Sequence, residues 1–179
     1  APGSGKTAML ERLIMDYSSQ LPVFVIEGDQ QTDNDSQRIQ KAGAKAMQIN
    51  TGAACHLDAE MIHQALHHAD LEGSRLLVIE NIGNMVCPTA YDLGEDLKVA
   101  LVSCPEGEDK PIKYPDLIMV SDALLINKID LIPYLDFNLD HCIELAKKVN
   151  PKVEIFPVSA KTGEGVKEFF DWICQKAGI

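Results

Sequence analysis

Gly3-Ser4-Gly5-Lys6-Thr7, followed by an amphipathic run, constrains the fold more than any other stretch of the chain. It matches the back end of a phosphate-binding loop, G-x-x-x-x-G-K-S/T, in which a strand turns into a helix. The chemistry needs these residue types in this order. Glycines at 3 and 5 let consecutive backbone N–H groups, that of Ser4 among them, curl around phosphate oxygens without Cβ clashes. Lys6 supplies a point charge for the β- and γ-phosphates, and the Thr7 hydroxyl can ligate Mg2+. A helix beginning at Thr7 aims its positive end at the anion. The motif's first glycine and the strand that feeds the loop would precede Ala1. The expectation is therefore an N-terminally truncated fragment that lacks its first strand.

Downstream, apolar runs and amphipathic stretches alternate, the pattern of a mostly parallel α/β sheet with helices on both faces. Strands are expected at Val23 to Glu27, near Ala46 to Ile49, and at Leu76 to Glu80, Val99 to Val102, Ala123 to Ile126 and Val153 to Phe156. Leu76-Leu77-Val78-Ile79-Glu80 reads as a strand buried on both faces. The strands near Val23, Leu76 and Ala123 are expected to pair in one sheet. Helices are expected from Thr7 to Ser18, around Arg38 and Ile39, from Asp58 as N-cap, from Leu139 to Val149, and around Val166 to Ile173. No repeat or linker interrupts the 179 residues, so residues 1–179 read as a single domain. The formal net charge of −11 argues against nucleic acid or an anionic membrane as partner. No apolar run approaches the roughly 20 residues of a membrane span. Five scattered cysteines read as reduced thiols of a cytoplasmic protein rather than a disulfide framework.

Asn127-Lys128-Ile129-Asp130 follows an expected strand, and in open α/β sheets ligands sit at the carboxyl ends of strands. Asn-Lys-x-Asp in that place is the guanine-reading signature of GTPases. The Asp130 carboxylate accepts both N1–H and the exocyclic N2–H2 of guanine, while the Lys128 stem covers the base. Ser159-Ala160-Lys161, after the last strand, matches the backbone loop that contacts guanine O6. Three motifs in this order point to GTP.

The magnesium side departs from the usual Asp-x-x-Gly: here the segment is Glu80-Asn81-Ile82-Gly83. Glu80 can still hold Mg2+ with Thr7, and the Gly83 N–H can still reach the γ-phosphate. Asp29 and Asp35 are placed to supply a second carboxylate, Asp29 for the metal and Asp35 to orient the attacking water. For Asp35 a solvated helix cap is an equal reading. The catalytic set is then Lys6, Glu80 and Asp35. No glutamine follows Gly83, so slow intrinsic hydrolysis is expected.

Cys55-His56 precedes the helix expected at Asp58, and Cys87 follows the Glu80 strand. A thiolate ahead of a helix N-terminus is expected to have a lowered pKa. Two sulfurs and a nitrogen suit Ni2+ or Zn2+, in a site shared with a second copy or left open for transfer. On the residues alone, two scattered cysteines and a histidine are more often buried thiols than metal ligands. Of His63, His67 and His68, the first two are four apart on one helix face, and that pair reads as solvated or structural.

Thr51-Gly52-Ala53-Ala54-Cys55-His56-Leu57-Asp58-Ala59, Glu80-Asn81-Ile82-Gly83-Asn84-Met85-Val86-Cys87-Pro88, Glu106-Gly107-Glu108-Asp109-Lys110-Pro111 and Asn127-Lys128-Ile129-Asp130-Leu131-Ile132-Pro133-Tyr134 resemble the hydrogenase-maturation nickel-incorporation GTPases, the HypB family. The Cys-His and Val-Cys-Pro segments are not general GTPase features. The sister urease-accessory GTPases carry Cys-Pro-His instead. The resemblance implies a P-loop GTPase that forms a homodimer on binding GTP and helps deliver nickel to the hydrogenase large subunit, alongside accessory maturation proteins. It also implies a dimer-interface metal site on Cys55, His56 and Cys87. The reading from a different class is a nickel carrier or storage module in which nucleotide only sets the oligomeric state. The Mg2+–phosphate set of Lys6, Thr7 and Glu80 favours the GTPase.

Overall fold

The computed structural model describes residues 2–29, 34–52 and 54–178, with the side chain of Asn34 left aside. Ala1, Thr32-Asp33 in the acidic stretch expected to lead into the Arg38 helix, and Ala53 lie outside the described residues. From the start the elements run α1 (Lys6–Tyr17), β1 (Val23–Asp29), α2 (Asn34–Ala42), β2 (Lys45–Asn50), α3 (Ala59–His68) and β3 (Leu76–Glu80). The branched and aromatic run of β1 favours extended backbone, and side-chain alternation decides what packs where. Phe24 and Ile26 meet Leu57 and the inward residues of α3, Ile62 and Ala65. Val25 points the other way, onto Ile14 of α1 and Ile39 of α2. Helices thus cover both faces of a parallel sheet ordered β2-β1-β3.

Then follow β4 (Val99–Ser103), α4 (Lys110–Lys113), α5 (Pro115–Met119), β5 (Ala123–Asn127), α6 (Leu139–Val149), β6 (Glu154–Pro157) and α7 (Val166–Ala177). A second parallel sheet runs β4-β5-β6. All five residues of β5 are buried, as its unbroken apolar run requires. Phe156, Phe169 and Trp172 stack at centroid separations of 5.5–5.9 Å and fix α7 onto β6. Two compact bodies result, Lys6–Glu95 with Pro2 and residues 96–178 with Gly3–Gly5.

Two expectations are corrected. The Val23 and Leu76 strands do pair, but the Ala123 strand belongs to the second sheet. A strand has two hydrogen-bonding edges; β1 uses its own on β2 and β3, and β5 on β4 and β6. Nor is β3 buried on both faces. It borders its sheet among the described residues, and Leu77 is 37% exposed.

Asp58 caps α3 as expected, its carboxylate accepting the Met61 N–H at 2.8 Å. Removing a cap oxygen typically costs about 1 kcal/mol. Asp58→Ala is expected to lower the unfolding free energy by about that amount, moving the urea midpoint down by roughly 0.3–1 M at an unchanged m-value, read by circular dichroism.

Candidate functional site

The parallel register of β1 and β3 ends on the pair Glu27 and Glu80, so the two acids emerge side by side at the carboxyl end of the sheet. Both are buried. Glu80 Oε1 accepts the Thr7 hydroxyl at 3.0 Å and lies 3.8 Å from Lys6 Nζ. Two carboxylates this close cannot both stay charged at low cost. Burial, then the Glu80 charge, pushes the Glu27 carboxyl up to about 9, so Glu27 holds the proton. Burial also raises Glu80, against the pull of Lys6 and Thr7. Glu80 Oε2 and Glu27 Oε1 are buried without a hydrogen-bond partner among the described residues. Orphaned carboxylate oxygens beside a threonine hydroxyl form the hard oxygen set that Mg2+ takes, so the residues fit that ion. Gly83 is closely packed here: a Cβ would sit 3.0 Å from the Pro2 backbone, so a side chain would need Pro2 to give way by a few tenths of an ångström.

Asp29 ends β1, its carbonyl accepting the Thr51 N–H at 3.0 Å. Asp35 opens α2 and pairs with Arg38, which also grips Glu11. The charge of Asp35 nonetheless raises both Glu27 and Glu80. Glu27 itself was not anticipated from sequence. A charged residue ending an apolar strand run is the signal that points to it.

In the second body Asn127, 1% exposed, ends β5 and ties three segments. Its Nδ2 donates to the Ser4 carbonyl at 3.0 Å, and its Oδ1 accepts from the N–H groups of Lys128 at 2.8 Å and Ala160 at 3.1 Å. A Cβ on Gly5 would strike Asn127 Nδ2 at 2.5 Å. Lys128 is the one non-glycine residue at positive φ (65°) among the described residues, a strain that clusters at functional sites. Its Nζ reaches the Gly3 carbonyl at 2.7 Å. The Asp130 carboxylate accepts the Ser159 hydroxyl at 2.7 Å, which leaves acceptor capacity for a ligand. Lys161 is exposed beside them in chain order.

Cys55, His56 and Cys87 come together although 32 positions separate the cysteines (87 − 55). Their ligand atoms all lie within 4.8 Å of one another, half-buried. Cys55 Sγ is 2.9 Å from Cys87 Sγ and 3.7 Å from His56 Nδ1. His56 stacks on Tyr91 at 3.8 Å. Asn84 fixes Cys87: its Oδ1 accepts the Cys87 N–H at 3.0 Å and its Nδ2 reaches the sulfur at 3.4 Å. Asn81 Oδ1 accepts the Leu57 N–H at 3.1 Å, pinning the neighbour of His56. Neither asparagine was anticipated, although Asn84 forms an Asx-turn, its Oδ1 also accepting the Val86 N–H two residues on at 2.8 Å. The expected lowering of the Cys55 pKa is corrected. Its shared hydrogen bond with Cys87 raises it, and α3 starts only at Ala59, too far along for its dipole to win.

The family model described as CobW/HypB/UreG, nucleotide-binding domain, matches residues 1–157. Hydrogenase maturation factor HypB of Azotobacter vinelandii is 54% identical over 179 residues, covering 99% of this chain and 59% of that protein. The chain thus spans about three-fifths of that curated relative's length. Hydrogenase/urease maturation factor HypB of Helicobacter pylori J99 is 42% identical, covering 98% and 74% respectively. The crystal structure of HypB from Helicobacter pylori in complex with nickel superposes with a TM-score of 0.93 at 41% identity, covering 99% of this chain and 83% of that one.

A carboxyl whose folded pKa is raised keeps its proton where the unfolded chain has lost it. Stability then falls as pH rises from the ordinary carboxylate range toward about 9. Glu27→Gln is expected to remove up to about 1.4 kcal/mol per pH unit of that slope. Melting temperatures in chelator-containing buffer from pH 5 to 9 check this: the variant should gain on the parent as pH rises, and parallel curves contradict it.

Proposed function

The chain belongs to the HypB family of CobW/HypB/UreG nucleotide-binding proteins, and on that premise we propose that it is a GTP-binding and slowly GTP-hydrolysing metallochaperone that helps insert nickel into [NiFe]-hydrogenase. The observation that carries the reading is the convergence of Cys55, His56 and Cys87 in a chain that also carries Lys6, Thr7 and Glu80 as a phosphate set. The H. pylori relative solved with nickel supports it.

Lys6 balances phosphate charge, and the N–H groups of Gly3, Ser4 and Gly5 cradle the phosphate oxygens. Thr7, Glu80 and Asp29 would hold Mg2+, which when bound draws charge from the β- and γ-phosphate oxygens. Gly83 donates its N–H to the γ-phosphate, and Asp35 orients the attacking water. With no glutamine after Gly83, water is poorly positioned and turnover is slow. Asp130 reads guanine N1–H and N2–H2, held in place by Ser159; Lys128 covers the base; the Ala160–Lys161 backbone meets O6. Cys55, His56 and Cys87 take nickel, or zinc, at a homodimer interface that GTP favours. Three ligands per chain leave a position open for transfer to accessory maturation proteins and the hydrogenase large subunit in the cytoplasm.

Asp130→Asn turns an acceptor toward guanine N2–H2 into a donor, a mismatch costing about 1–3 kcal/mol. The variant should lose roughly tenfold or more in GTP affinity and gain affinity for xanthosine triphosphate, whose C2 carbonyl accepts the new donor. Equal competition by ATP in the parent protein overturns the guanine assignment. Cys55→Ala with Cys87→Ala should abolish thiolate-bound nickel and spare GTP binding. Nickel binding without Mg2+-dependent GTP turnover in the parent would favour the carrier or storage reading.

A further inference from the structure

Helix α3 turns Ile62 and Ala65 inward and leaves His63 and His67 on its exposed side. Four residues apart, the two imidazoles lie one helical turn above one another. They do more than share a face. Their rings meet edge-on at 83°, with centroids 4.6 Å apart, and the two Nε2 atoms are 3.1 Å from each other. The two Nε2 atoms are therefore close enough to share one partner.

That separation has a chemical meaning. With metal–nitrogen bonds of about 2.0–2.1 Å, two cis nitrogens stand about 2.9 Å apart at a right angle and about 3.4 Å at the tetrahedral angle. The observed 3.1 Å lies between these. The surroundings favour a cation: His67 is in the last turn of α3, at the negative end of the helix dipole, and the chain carries a net charge of −11. The pair shares no atoms with the thiol cluster, which is the one group of three metal-ligating side chains among the described residues.

We propose that His63 and His67 form a second metal site, a two-imidazole chelate for a divalent transition ion of borderline softness, taken here as Ni2+. One ring donates its Nε2–H to the other in the pair as it stands. On binding, that ring moves its hydrogen to Nδ1, the ion takes the bridging place, and no proton is released from neutral rings. Two protein ligands leave the remaining positions to water, so the ion is held weakly and exchanges readily. Imidazole nitrogen suits Ni2+, Cu2+ and Zn2+ and excludes Mg2+, so the site ignores the ion that the phosphate loop requires. The proposal stands on the geometry of α3 alone and does not need the GTPase reading.

The test is Ni2+ titration of the full chain at pH 8 in thiol-free buffer, followed by equilibrium dialysis and absorption spectroscopy. The parent should bind one ion with sulfur-to-nickel charge-transfer absorption and a weaker one without it. The His63→Gln, His67→Gln double variant should lose the weaker ion and keep the charge-transfer band. Either single substitution should weaken that ion at least about tenfold, since chelation needs both rings. The Cys55→Ala, Cys87→Ala variant should do the reverse, keeping a nickel ion that also raises its melting temperature. Unchanged melting of the histidine variants without nickel shows that α3 still folds. A weaker ion that survives in the double histidine variant, or one lost with the cysteines, overturns the proposal.

Discussion

The first body depends on the burial of two adjacent acids. Glu27 and Glu80 are only 2% and 8% exposed, and an isolated buried carboxylate would cost several kcal/mol. The structure offsets that cost by giving the charge on Glu80 to Lys6 and Thr7 and leaving the proton on Glu27. Lys6 and the helix behind it are therefore anchored by the same carboxylate that would complete the proposed cation site. Strand register does the aiming. Glu27 faces Glu80 only because β1 and β3 run in the register that aligns Val23 with Leu76, and a one-residue slip would turn one acid to the opposite face.

Asn127 plays the matching part in the second body. An amide at 1% exposure must satisfy its polar atoms internally, and it does so by holding the Ser4 carbonyl and the N–H groups of Lys128 and Ala160. Those bonds hold Lys128 in its left-handed conformation, which costs roughly 1–3 kcal/mol for a residue with a side chain. The strain is confined to the residue after β5, where the Asp130 carboxylate is set by Ser159. A fully buried strand makes this possible, since β5 cannot shift without exposing five apolar or polar-satisfied positions.

Local chemistry was the legible part. The bounds of α6 follow from its apolar spacing, and the proposed phosphate and guanine residues were recognisable because each motif spans a few positions; Cys55-His56 is as local, but its meeting with Cys87 is not. What depends on long-range pairing was not. Glu27 gains its meaning from Glu80, 53 positions on (80 − 27), through a register that no local pattern declares. The apolar run of β3 resembles that of β5, yet β3 borders its sheet and β5 is its centre. The Cys55 thiol was misjudged for a similar reason: a helix dipole can be read nearby, whereas Cys87 arrives from another loop.

The segment after Glu80 also explains how phosphate and thiol chemistry can be coupled in so short a path. Asn81 holds the Leu57 N–H, and Leu57 is the neighbour of His56; Asn84 holds both the backbone and the sulfur of Cys87. Between them stands Gly83, packed tightly against Pro2. On the proposed reading, a γ-phosphate that drew Gly83 toward it would carry the movement to Asn81 and Asn84 on either side. Either movement would alter one of the two anchors of His56 and Cys87. Any such coupling would be reciprocal in free energy: an ion that drew the three side chains together would restrain the same loop and change nucleotide affinity by the same factor. Asparagine suits this task because its amide accepts and donates at once, fixing geometry without adding a charge that would compete for the metal.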